Sequence, residues 1–328
     1  MKTTVIIPNY NGIDFLTPCL DSLIKAYEAS GAFKIIVVDN GSKDGSIDLV
    51  KKYCEHDFIS LIELKENTGF SYAVNRGIEA SDTEYVILLN NDIVVDERFV
   101  SELENAISSD ERLFSVNSLM RQMKDPSLID GFGDHYCALG WAFAAYKGKP
   151  SKRFEAQKGL RSIFSSCGGA SIYRKAVFDK IGLFDEEHFA YLEDVDVGYR
   201  AVLHGYKNAA CALAVCDHAG SGFSGSRYNE FKIDLASRNS IYIIYKNMPV
   251  FQIIINLPFL FIGFFIKTLF FILKGHGSVY LKGLIKGFKL SASDKARAHK
   301  VRLGIKGFGR YVYVELILIL NIFKWFIV

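Results

Sequence analysis

Residues 4–8 form the apolar run TVIIP, and the polar turn NYNG follows at 9–12. The same arrangement returns three times further along the chain: IIVVD before NGS at 35–42, ISLIEL before KENTG at 59–69, and YVILL before NND at 85–92. Amphipathic helical patterns separate these runs. Nearly continuous apolar strands that alternate with helices predict an α/β fold with a mixed, mainly parallel sheet and helices on both faces.

The four polar turns indicate where a ligand would bind. Ligands of such sheets bind at the carboxyl ends of the strands, and all four turns fall at that edge. No G-x-G-x-x-G follows the first strand and no GxxxxGK[ST] occurs in the chain, so a dinucleotide site and a P-loop are both disfavoured. The sequence therefore predicts a polar site of another kind at this edge.

Composition agrees with a large folded domain. Half of the 328 residues are hydrophobic, which suffices for a core. The formal net charge of +3 does not indicate a nucleic acid partner. The six cysteines form no CxxC pair and are expected to be reduced and buried. The amino-terminal MKTTVIIPNYNG has no signal-peptide pattern, so we expect the first domain to stay in the cytoplasm.

Composition changes sharply at Met248. Residues 251–273 are almost wholly apolar, and residues 274–310 contain ten Lys or Arg and one acid, Asp294. We therefore expect a sheet domain over 1–247 and a hydrophobic and basic, membrane-associating helical region over 248–328. Within the first, the polar, glycine-containing residues 121–165 predict a long loop, which in a compact domain is usually functional or mobile.

Asp92 and His218 are candidate metal ligands. Asp92 ends the triplet NND, and hard divalent cations bind diphosphates through one or two carboxylates. The alternative for Asp92 is a plain turn with a capping acid. His218 opens a stretch of small residues that suits the close approach of a metal or a diphosphate, although a lone histidine is more often structural.

Asp39 and Asp194 are candidates for two other tasks. Asp39 ends the second strand, where a carboxylate can accept hydrogen bonds from a ribose or a base; an Asx turn would use the same residue. Asp194 follows Glu193 at the start of a helical pattern. It suits either a general base that deprotonates an acceptor hydroxyl or a helix N-cap, and adjacent carboxylates can tune each other's pKa.

Six motifs occur in order along the chain: VIIPNYNG, VVDNGSKDGS, ENTGFSYAVNRGI, LLNNDIVV, CGGASIYRKAVFDKIGLFDE and FAYLEDVDVGYR. Together they resemble family 2 glycosyltransferases of the GT-A fold, in particular their rhamnosyltransferase-like branch. The resemblance covers roughly residues 3–245 and makes 1–247 the expected catalytic domain.

The resemblance implies roles for the matching residues. Asp194 would be the catalytic base, with Glu193 beside it. Asp92 would be the principal ligand of a divalent metal, Mg²⁺ or Mn²⁺, and His218 would complete that site as in some members. The residues that match donor-binding positions are Pro8, Tyr10, Asn11, Asp39, Asn67, Gly69, Asn75, Asn91 and Arg238.

The resemblance also implies a reaction, the inverting transfer of a sugar from a nucleotide-sugar donor during assembly of a surface polysaccharide such as O-antigen or capsule. Resemblance to the rhamnosyltransferase-like branch suggests dTDP-rhamnose as the first candidate for the donor and a UDP-sugar as the second. The Q-x-x-R-W motif of processive synthases is absent, which favours addition of one or a few sugars. Two alternatives are an inactive, membrane-bound nucleotide-sugar-binding protein and a nucleotidyltransferase, although NYNG lacks the basic residue that the latter would need.

The carboxyl-terminal region predicts contact with a membrane. A helix over 251–273 would be about 34 Å long, enough to cross a bilayer, but the basic segment after it should stay cytoplasmic, like the first domain. We therefore expect a monotopic or peripheral anchor on the cytoplasmic face of the cell membrane, with the helix broken at Pro258 and Gly263 and basic residues on anionic lipid. A two-span arrangement is the alternative. An anchored enzyme suggests a lipid-linked saccharide acceptor.

Overall fold

The computed structural model describes residues 1–30, 32–155, 157, 159–220, 229–304 and 307–327. Up to Leu89 it alternates four strands with three helices, each close to a predicted element: β1 Thr3–Asn9, α1 Ile13–Ser30, β2 Phe33–Asp39, α2 Ser46–Tyr53, β3 Ile59–Glu63, α3 Phe70–Ala80 and β4 Tyr85–Leu89. Local patterning predicts them because the strands are short apolar runs and the helices bury one face each, as Leu16, Leu20 and Leu23 do in α1.

The next part of the chain departs from the prediction. It contains β5 Ile93–Val95, α4 Phe99–Ser108, β6 Leu113–Gln122, β7 Asp125–Gly131, β8 Asp134–Cys137, β9 Trp141–Ala144, α5 Lys152–Glu155, β10 Arg161–Ile163, β11 Ala170–Arg174, α6 Lys175–Ile181, a 3-10 turn Glu186–His188, α7 Glu193–Leu203 and β12 Lys207–His218. The predicted long loop over 121–165 is therefore wrong. Its short strands depend on pairing, such as Arg161 opposite Ala210, and carry no strong apolar pattern of their own.

Within the described residues, the main sheet is mixed and has the order β10-β12-β6-β11-β4-β1-β2-β3, with β5 beside β12 and β7 beside β6. The strands β1 to β4 are parallel to one another, and β6 is parallel to β12. In contrast, β11 runs antiparallel between β4 and β6. The predicted α/β class with a mixed sheet is confirmed, and the turns after the parallel strands meet at one edge.

Helices cover both faces of the sheet, as predicted. On one face, Leu20 of α1 and Leu103 of α4 pack in a core with Val5 of β1. On the other face, Val74 of α3 packs in a second core with Ile6 of β1. Neighbouring residues of one strand thus enter different cores, because side chains of a strand alternate between its two faces.

In the described residues from 229 onward, the helices are α8 Glu230–Asn247, α9 Val250–Leu273, α10 Gly277–Ser291, α11 Asp294–His299 and α12 Phe308–Lys324. Because α9 continues through Pro258, the expected break at Pro258 and Gly263 is wrong. Gly263 instead permits close packing, since a Cβ there would lie 2.1 Å from the Leu139 carbonyl oxygen. Among the described residues, α9 is the one helix that is long and apolar enough to cross a bilayer.

The carboxyl-terminal helices share a core with the sheet domain. Leu260 of α9 and Val314 and Leu318 of α12 pack in one cluster with Tyr199 of α7. The backbone amide of Ala138 also donates to the Leu318 carbonyl at 3.1 Å. Composition changes at Met248, but packing continues across that point.

We expect Leu318→Ala to destabilise the chain and Leu320→Ala to have little effect. Leu318 is fully buried, whereas Leu320 on the same helix is 60% exposed. Truncation of a buried leucine typically costs about 2–5 kcal/mol, and an exposed substitution costs less than about 0.5 kcal/mol. Thermal unfolding in detergent measures both. Equal unfolding midpoints for Leu318→Ala and Leu320→Ala would contradict the shared core. Deletion of residues 248–328 is a second test, and it should leave an insoluble sheet domain if the core is shared.

Candidate active site

Asp92 and His218 meet at the edge of the sheet. The strand β5, which follows Asp92 directly, pairs with the end of β12 so that His218 lies opposite Ile93. As a result, Nε2 of His218 lies 3.3 Å from Oδ2 of Asp92. The structure thus brings together the two residues that were predicted as metal ligands.

Asp130 of β7 joins this pair. Nδ1 of His218 donates to its Oδ2 at 2.7 Å, and the Lys147 ammonium donates to its Oδ1 at 2.7 Å. Burial alone would lower the pKa of His218, but hydrogen bonds to Asp130 and Asp92 outweigh it and raise that pKa to about 9. Asp130 lies in the segment that was predicted as a loop, and for that reason the sequence did not single it out.

This donor set fits a divalent metal. Asp92 offers carboxylate oxygens and His218 offers a ring nitrogen, which are ligands that Mn²⁺ accepts. Asp130 would keep the Nδ1 proton of His218 in place and leave Nε2 for the cation, a common arrangement at metal-binding histidines. A cation held by Asp92 and His218 would replace the proton that the two side chains share.

Asp194 lies in the first turn of α7. The N-cap residue of this helix is Leu192, so Asp194 is not its cap. The Asp194 carboxylate accepts from the backbone amides of Val195 at 2.7 Å and Gly168 at 3.3 Å. Burial raises the pKa of Asp194, and the backbone donors offset this only in part. The side chain is therefore an oriented carboxylate of increased basicity.

A second carboxyl group, that of Asp134, approaches Asp194. One oxygen of each and the Sγ atom of Cys167 lie within 4.8 Å of one another. Burial, followed by the nearby Asp194, raises the pKa of Asp134 to about 8. A like charge this close disfavours ionisation, so the protonated form of Asp134 is favoured at neutral pH. Asp134 also lies in the expected loop, and its one sequence signal was its place after the glycines of GFGD.

Residues 130–134 connect the two clusters. Asp130 contacts His218 at one end, and Asp134 approaches Asp194 at the other. Four residues of extended chain span at most about 14 Å. The candidate metal ligands and the candidate base are therefore close enough to contact one bound molecule.

Glu193 is buried next to Asp194 in the sequence, with 7% of its surface exposed. Its Oε2 atom has no hydrogen-bond partner among the described residues. Burial, followed by the charge of Asp194, raises the pKa of Glu193 well above its ordinary value. The charged form of Glu193 is therefore disfavoured at this position beside Asp194.

Asn9 connects the residues at the ends of β1, β2 and β4. Its Nδ2 donates to Asp39 at 2.8 Å, and its Oδ1 accepts from Asn91 at 2.6 Å. Asp39 is fully buried and also accepts from the Ser42 amide at 2.8 Å, so it holds the turn as well as ending the strand. Sequence reasoning did not single out Asn9 and Ser42, although both lie in the polar turns.

Three predicted residues lead from β1 into this turn. Pro8 lies opposite Val38 of β2, and Tyr10 is half-buried. Asn11 is exposed, adopts a positive φ of 48° and accepts from the Lys43 amide at 2.8 Å. The turns after β1 and β2 are thus bonded to each other beside Asp39.

Asn67 and Gly69 form the turn before α3. Oδ1 of Asn67 accepts from Asn40 at 3.1 Å and from the Gly69 amide at 3.0 Å. Gly69 has a φ of +88°, and a Cβ there would lie 2.6 Å from the Phe189 carbonyl oxygen. A glycine is required because this turn packs directly on the loop that leads to Asp194.

Asn75 and Arg238 brace the same loop. The Asn75 side chain donates to the Phe184 carbonyl at 2.8 Å and accepts from its amide at 3.1 Å. Arg238 donates to the carbonyls of Glu187 and His188 at 2.9 and 2.7 Å. Both side chains are thus engaged with the loop before Asp194, and their donor contacts stay predictions.

A separate group of Asp185, His188 and Asp196 could hold a metal by distance, with ligand atoms within 4.8 Å of one another. The Lys246 ammonium, however, lies 2.6 Å from Asp185 and 2.8 Å from Asp196. Arg200 pairs with Asp196 as well, at 2.9 Å. The protein's own cations neutralise these carboxylates, which makes the group a buried brace between α7 and α8.

Residues 4–182 match the family model for glycosyl transferase family 2. The match covers more than half of the chain, and the chain belongs to this family. The fold and the family implied by the sequence motifs are therefore confirmed.

Two curated relatives indicate the range of similarity. The chain is 25% identical over 215 residues to a poly-beta-1,6-N-acetyl-D-glucosamine synthase of Staphylococcus aureus strain MSSA476, an alignment that covers 65% of this chain and 48% of that protein. It is 35% identical over 106 residues to glycosyltransferase GlyA of Streptococcus pneumoniae serotype 4, with 32% of this chain and 15% of that protein covered. The chain spans about half the length of the synthase.

Several solved structures share the fold. GalNAc-T7 with UDP, GalNAc and Mn²⁺ has a TM-score of 0.59 at 16% identity, over 75% of this chain and 48% of its own. Mannosyltransferase PcManGT of Pyrobaculum calidifontis, with GDP-Man and Mn²⁺, has a TM-score of 0.56 at 14% identity, over 96% and 87%. Staphylococcus aureus TarS has a TM-score of 0.57 at 18% identity, over 96% and 55%.

Proposed function

We propose that the chain is an inverting, metal-dependent glycosyltransferase that transfers a sugar from a nucleotide-sugar donor to a lipid-linked saccharide during polysaccharide assembly. One observation carries this proposal: Asp92 with His218, and Asp194 with Asp134, lie at one edge of the sheet and are joined by residues 130–134. Family membership and the synthase among the relatives support it.

The candidate base has the geometry for proton transfer. An Asp194 carboxylate oxygen takes the proton of the acceptor hydroxyl while the hydroxyl oxygen attacks the anomeric carbon of the donor. The bond from that carbon to the nucleoside diphosphate breaks in the same step, which inverts the configuration. The amides of Val195 and Gly168 hold the carboxylate in one orientation, and Asp134 keeps a proton beside it.

The opposite end of the site receives the leaving group. A divalent cation held by Asp92 and His218 would supply positive charge for the departing diphosphate. Asn9, Asp39 and Asn91 form a connected polar wall on which we place the nucleoside.

For the donor we propose a UDP-sugar, with dTDP-rhamnose as the alternative. The name of the synthase relative points to N-acetylglucosamine, and TarS has been solved with UDP-GlcNAc, at a TM-score of 0.51. The rhamnosyltransferase-like motifs support dTDP-rhamnose. The absence of Q-x-x-R-W supports the addition of one or a few sugars.

A donor panel tests this function. Thermal shift of the full chain in detergent, with each nucleotide sugar and with or without Mn²⁺, should show stabilisation by one donor class that needs the metal. Release of nucleoside diphosphate should follow. Pyrophosphate release from a nucleoside triphosphate and a sugar phosphate would support nucleotidyl transfer instead. Donor binding without any turnover would support an inactive binding protein.

Exposed apolar side chains on α9, α10 and α12 form what we call the membrane-facing surface. It comprises Ile254, Phe261, Ile262, Phe265, Leu269, Leu281, Ile285, Phe288, Leu316, Leu320 and Phe323, all at least 42% exposed. An exposed apolar surface that extends over three helices marks a membrane or protein contact. Lys282, Lys286 and Lys289 are exposed among the apolar residues of α10, which favours an anionic lipid surface.

The packing of α10 favours the monotopic arrangement. A Cβ on Gly283 would lie 1.9 Å from Oγ of Ser237, and one on Gly287 would lie 2.5 Å from the Arg238 carbonyl oxygen, so α10 lies directly against α8. Helix α8 precedes α9 in the chain and α10 follows it. Because α8 and α10 pack against each other, we infer that both ends of α9 lie on the same side of the bilayer. This packing disfavours a two-span arrangement, and the cytoplasmic face stays a prediction from the sequence.

Basic residues contribute less to this contact than their number suggests. Among the basic residues of 274–310 that the structure describes, ion pairs within the protein join Lys286 with Asp234 at 2.8 Å, Lys295 with Glu187 at 3.1 Å, and Arg297 with Asp294 at 3.2 Å. Apolar burial should therefore supply most of the binding energy.

Phe261→Asp combined with Phe265→Asp should release the protein from membranes. The two rings stack at 6.2 Å and are 73% and 53% exposed. Loss of two large apolar side chains should weaken vesicle binding at least about a hundredfold, since each is worth about 1.5–3 kcal/mol when buried. Met123→Asp, at an exposed residue of the sheet domain, is the control for sedimentation with vesicles. Binding that both variants retain would contradict the assignment of this surface.

A further inference from the structure

A basic cavity of about 220 Å³ lies beside the β8–β9 hairpin, and His135, Tyr146, Arg161, Lys324 and Ile327 help to line it. Strand β8 separates it from the candidate base. Asp134 approaches Asp194, and the next residue, His135, lines the cavity, because successive side chains of a strand point to opposite faces.

Two cations meet at this cavity. Arg161 is held in place by a 2.9 Å hydrogen bond to the Tyr146 hydroxyl and lies 5.3 Å from the centre of that ring. Burial, followed by the charge of Arg161, lowers the pKa of Lys324. None of the described residues that line the cavity is acidic. The two positive charges of Arg161 and Lys324 repel each other, and an anion bound between them would relieve that repulsion.

His135 adds a neutral donor. It is 4% exposed, and its Nδ1 atom has no hydrogen-bond partner among the described residues. Burial, followed by Lys324 and Arg161, lowers its pKa to about 3, so the ring is neutral at physiological pH. An unpaired buried polar atom is costly, and an anion in the cavity would give this ring a partner.

The cavity opens toward apolar surface. Ile327 lines it and is 69% exposed, and the neighbouring Trp325 and Phe326 are 45% and 80% exposed. These residues follow α12 and extend the membrane-facing surface. A basic pocket with an apolar exit suits a ligand that has a charged head and a hydrocarbon tail. The volume equals that of about seven water molecules, which is room for a phosphate or diphosphate group.

We propose that this cavity binds the phosphate or diphosphate group of a membrane lipid. The inference rests on the proposed function in so far as α9, α10 and α12 face a membrane. A lipid-linked acceptor and an anionic phospholipid both carry the required group. Because His135 adjoins Asp134, a bound lipid would also fix β8 next to the candidate base.

Lys324→Glu is the decisive variant. Its carboxylate would lie near Arg161 and pair with it, so the fold should be retained while the anion is excluded. Lys289→Glu makes the same change of charge on the exposed side of α10 and is the matched control. Thermal unfolding of both variants checks the fold, and Lys324→Gln is a second variant that introduces no new charge.

The full chain is sedimented with phosphatidylcholine vesicles that carry a polyprenyl phosphate, phosphatidic acid or oleate at equal mole fraction. We expect Lys324→Glu to lose at least about tenfold more affinity for the two phosphate lipids than Lys289→Glu does, as suits the loss of charge-assisted hydrogen bonds. The two variants should behave alike with oleate. Preference for polyprenyl phosphate would identify an acceptor site, and equal binding of both phosphate lipids would identify a phospholipid site.

Equal losses for the two variants with every lipid would overturn the proposal, since general charge would then explain the binding. If the wild-type protein binds phosphate vesicles no more tightly than oleate vesicles, while inorganic phosphate stabilises the wild type against thermal unfolding but not Lys324→Glu, the cavity is a site for free phosphate and the lipid assignment is overturned. Donor hydrolysis in detergent is measured on the same preparations and should be unchanged in Lys324→Glu. If the wild-type protein shows no donor hydrolysis, the proposed function is refuted, but the vesicle-binding result for the cavity still holds.

Discussion

Asp194→Asn is expected to lower the kcat of sugar transfer by about 10²–10⁴-fold, the range typical for loss of a general base. The amide keeps the shape of the side chain but cannot take the acceptor proton. Donor affinity should stay nearly unchanged, because the donor-side residues Asn9, Asp39 and Asn91 form a separate hydrogen-bonded group. Initial rates with saturating donor, together with donor titration, measure the two effects.

Asp134→Asn is the matched control for that experiment. Because burial and the nearby Asp194 raise the pKa of Asp134 to about 8, it is protonated at pH 7, and an amide resembles that form. Transfer should therefore stay within about tenfold of wild type at this pH. If Asp194→Asn keeps more than about a tenth of the activity, or if Asp134→Asn loses as much as Asp194→Asn, the assignment of the base fails.

The pH dependence has a defined sign. Asp194 acts as a base only when ionised, and burial raises its pKa, so transfer should fall as the pH decreases through a value above that of an ordinary aspartate. The acid limb should be unchanged in Asp134→Asn, because Asp134 stays protonated there. The two profiles should diverge only above about pH 8, where Asp134 loses its proton.

Asp92→Ala should weaken the metal-dependent binding of nucleoside diphosphate at least about a hundredfold, because it removes the carboxylate ligand of a two-residue site. His218→Ala should have a smaller effect. Asp130→Asn, which leaves both ligands in place and changes only the partner of His218, should cost about 10–100-fold in metal affinity.

Calorimetric titration of Mn²⁺ in the presence of the diphosphate measures this series. The order of the three losses is the informative result, since a purely structural role for the cluster would affect diphosphate binding equally with and without metal. Unchanged affinity in Asp92→Ala would refute the metal assignment. Asp39→Asn is a useful comparison, because it alters the nucleoside side of the site and should leave metal affinity unchanged.

The sequence was sufficient for the first half of the sheet. Each strand up to Leu89 is a short run of apolar residues, and each helix carries its apolar residues on one side, so both can be recognised from neighbouring positions. The positions of Asp39 and Asp92 at strand ends followed directly, since the carboxyl ends of parallel strands share one edge.

The segment 121–165 shows where local reasoning fails. Asp130 and Asp134 lie on short strands whose stability comes from pairing partners elsewhere in the chain, so their sequence resembles a loop. Both acids contact the predicted site residues, yet nothing in the neighbouring sequence distinguishes them from acids in an exposed turn. For Asn75 and Arg238 the donor contacts implied by the motifs stay predictions, and the structure adds that both side chains bond to the loop before Asp194.

The carboxyl-terminal region shows most clearly what the sequence determines by itself and what the tertiary structure decides. Composition by itself determined that residues beyond Met248 are apolar and basic and suit a membrane surface. The tertiary structure decided that α9 is an unbroken helix, that α10 lies against α8, and that α12 shares a core with α7. The physical reason is that hydrophobicity and helical period belong to neighbouring residues, whereas the partner of a buried face depends on how distant segments meet.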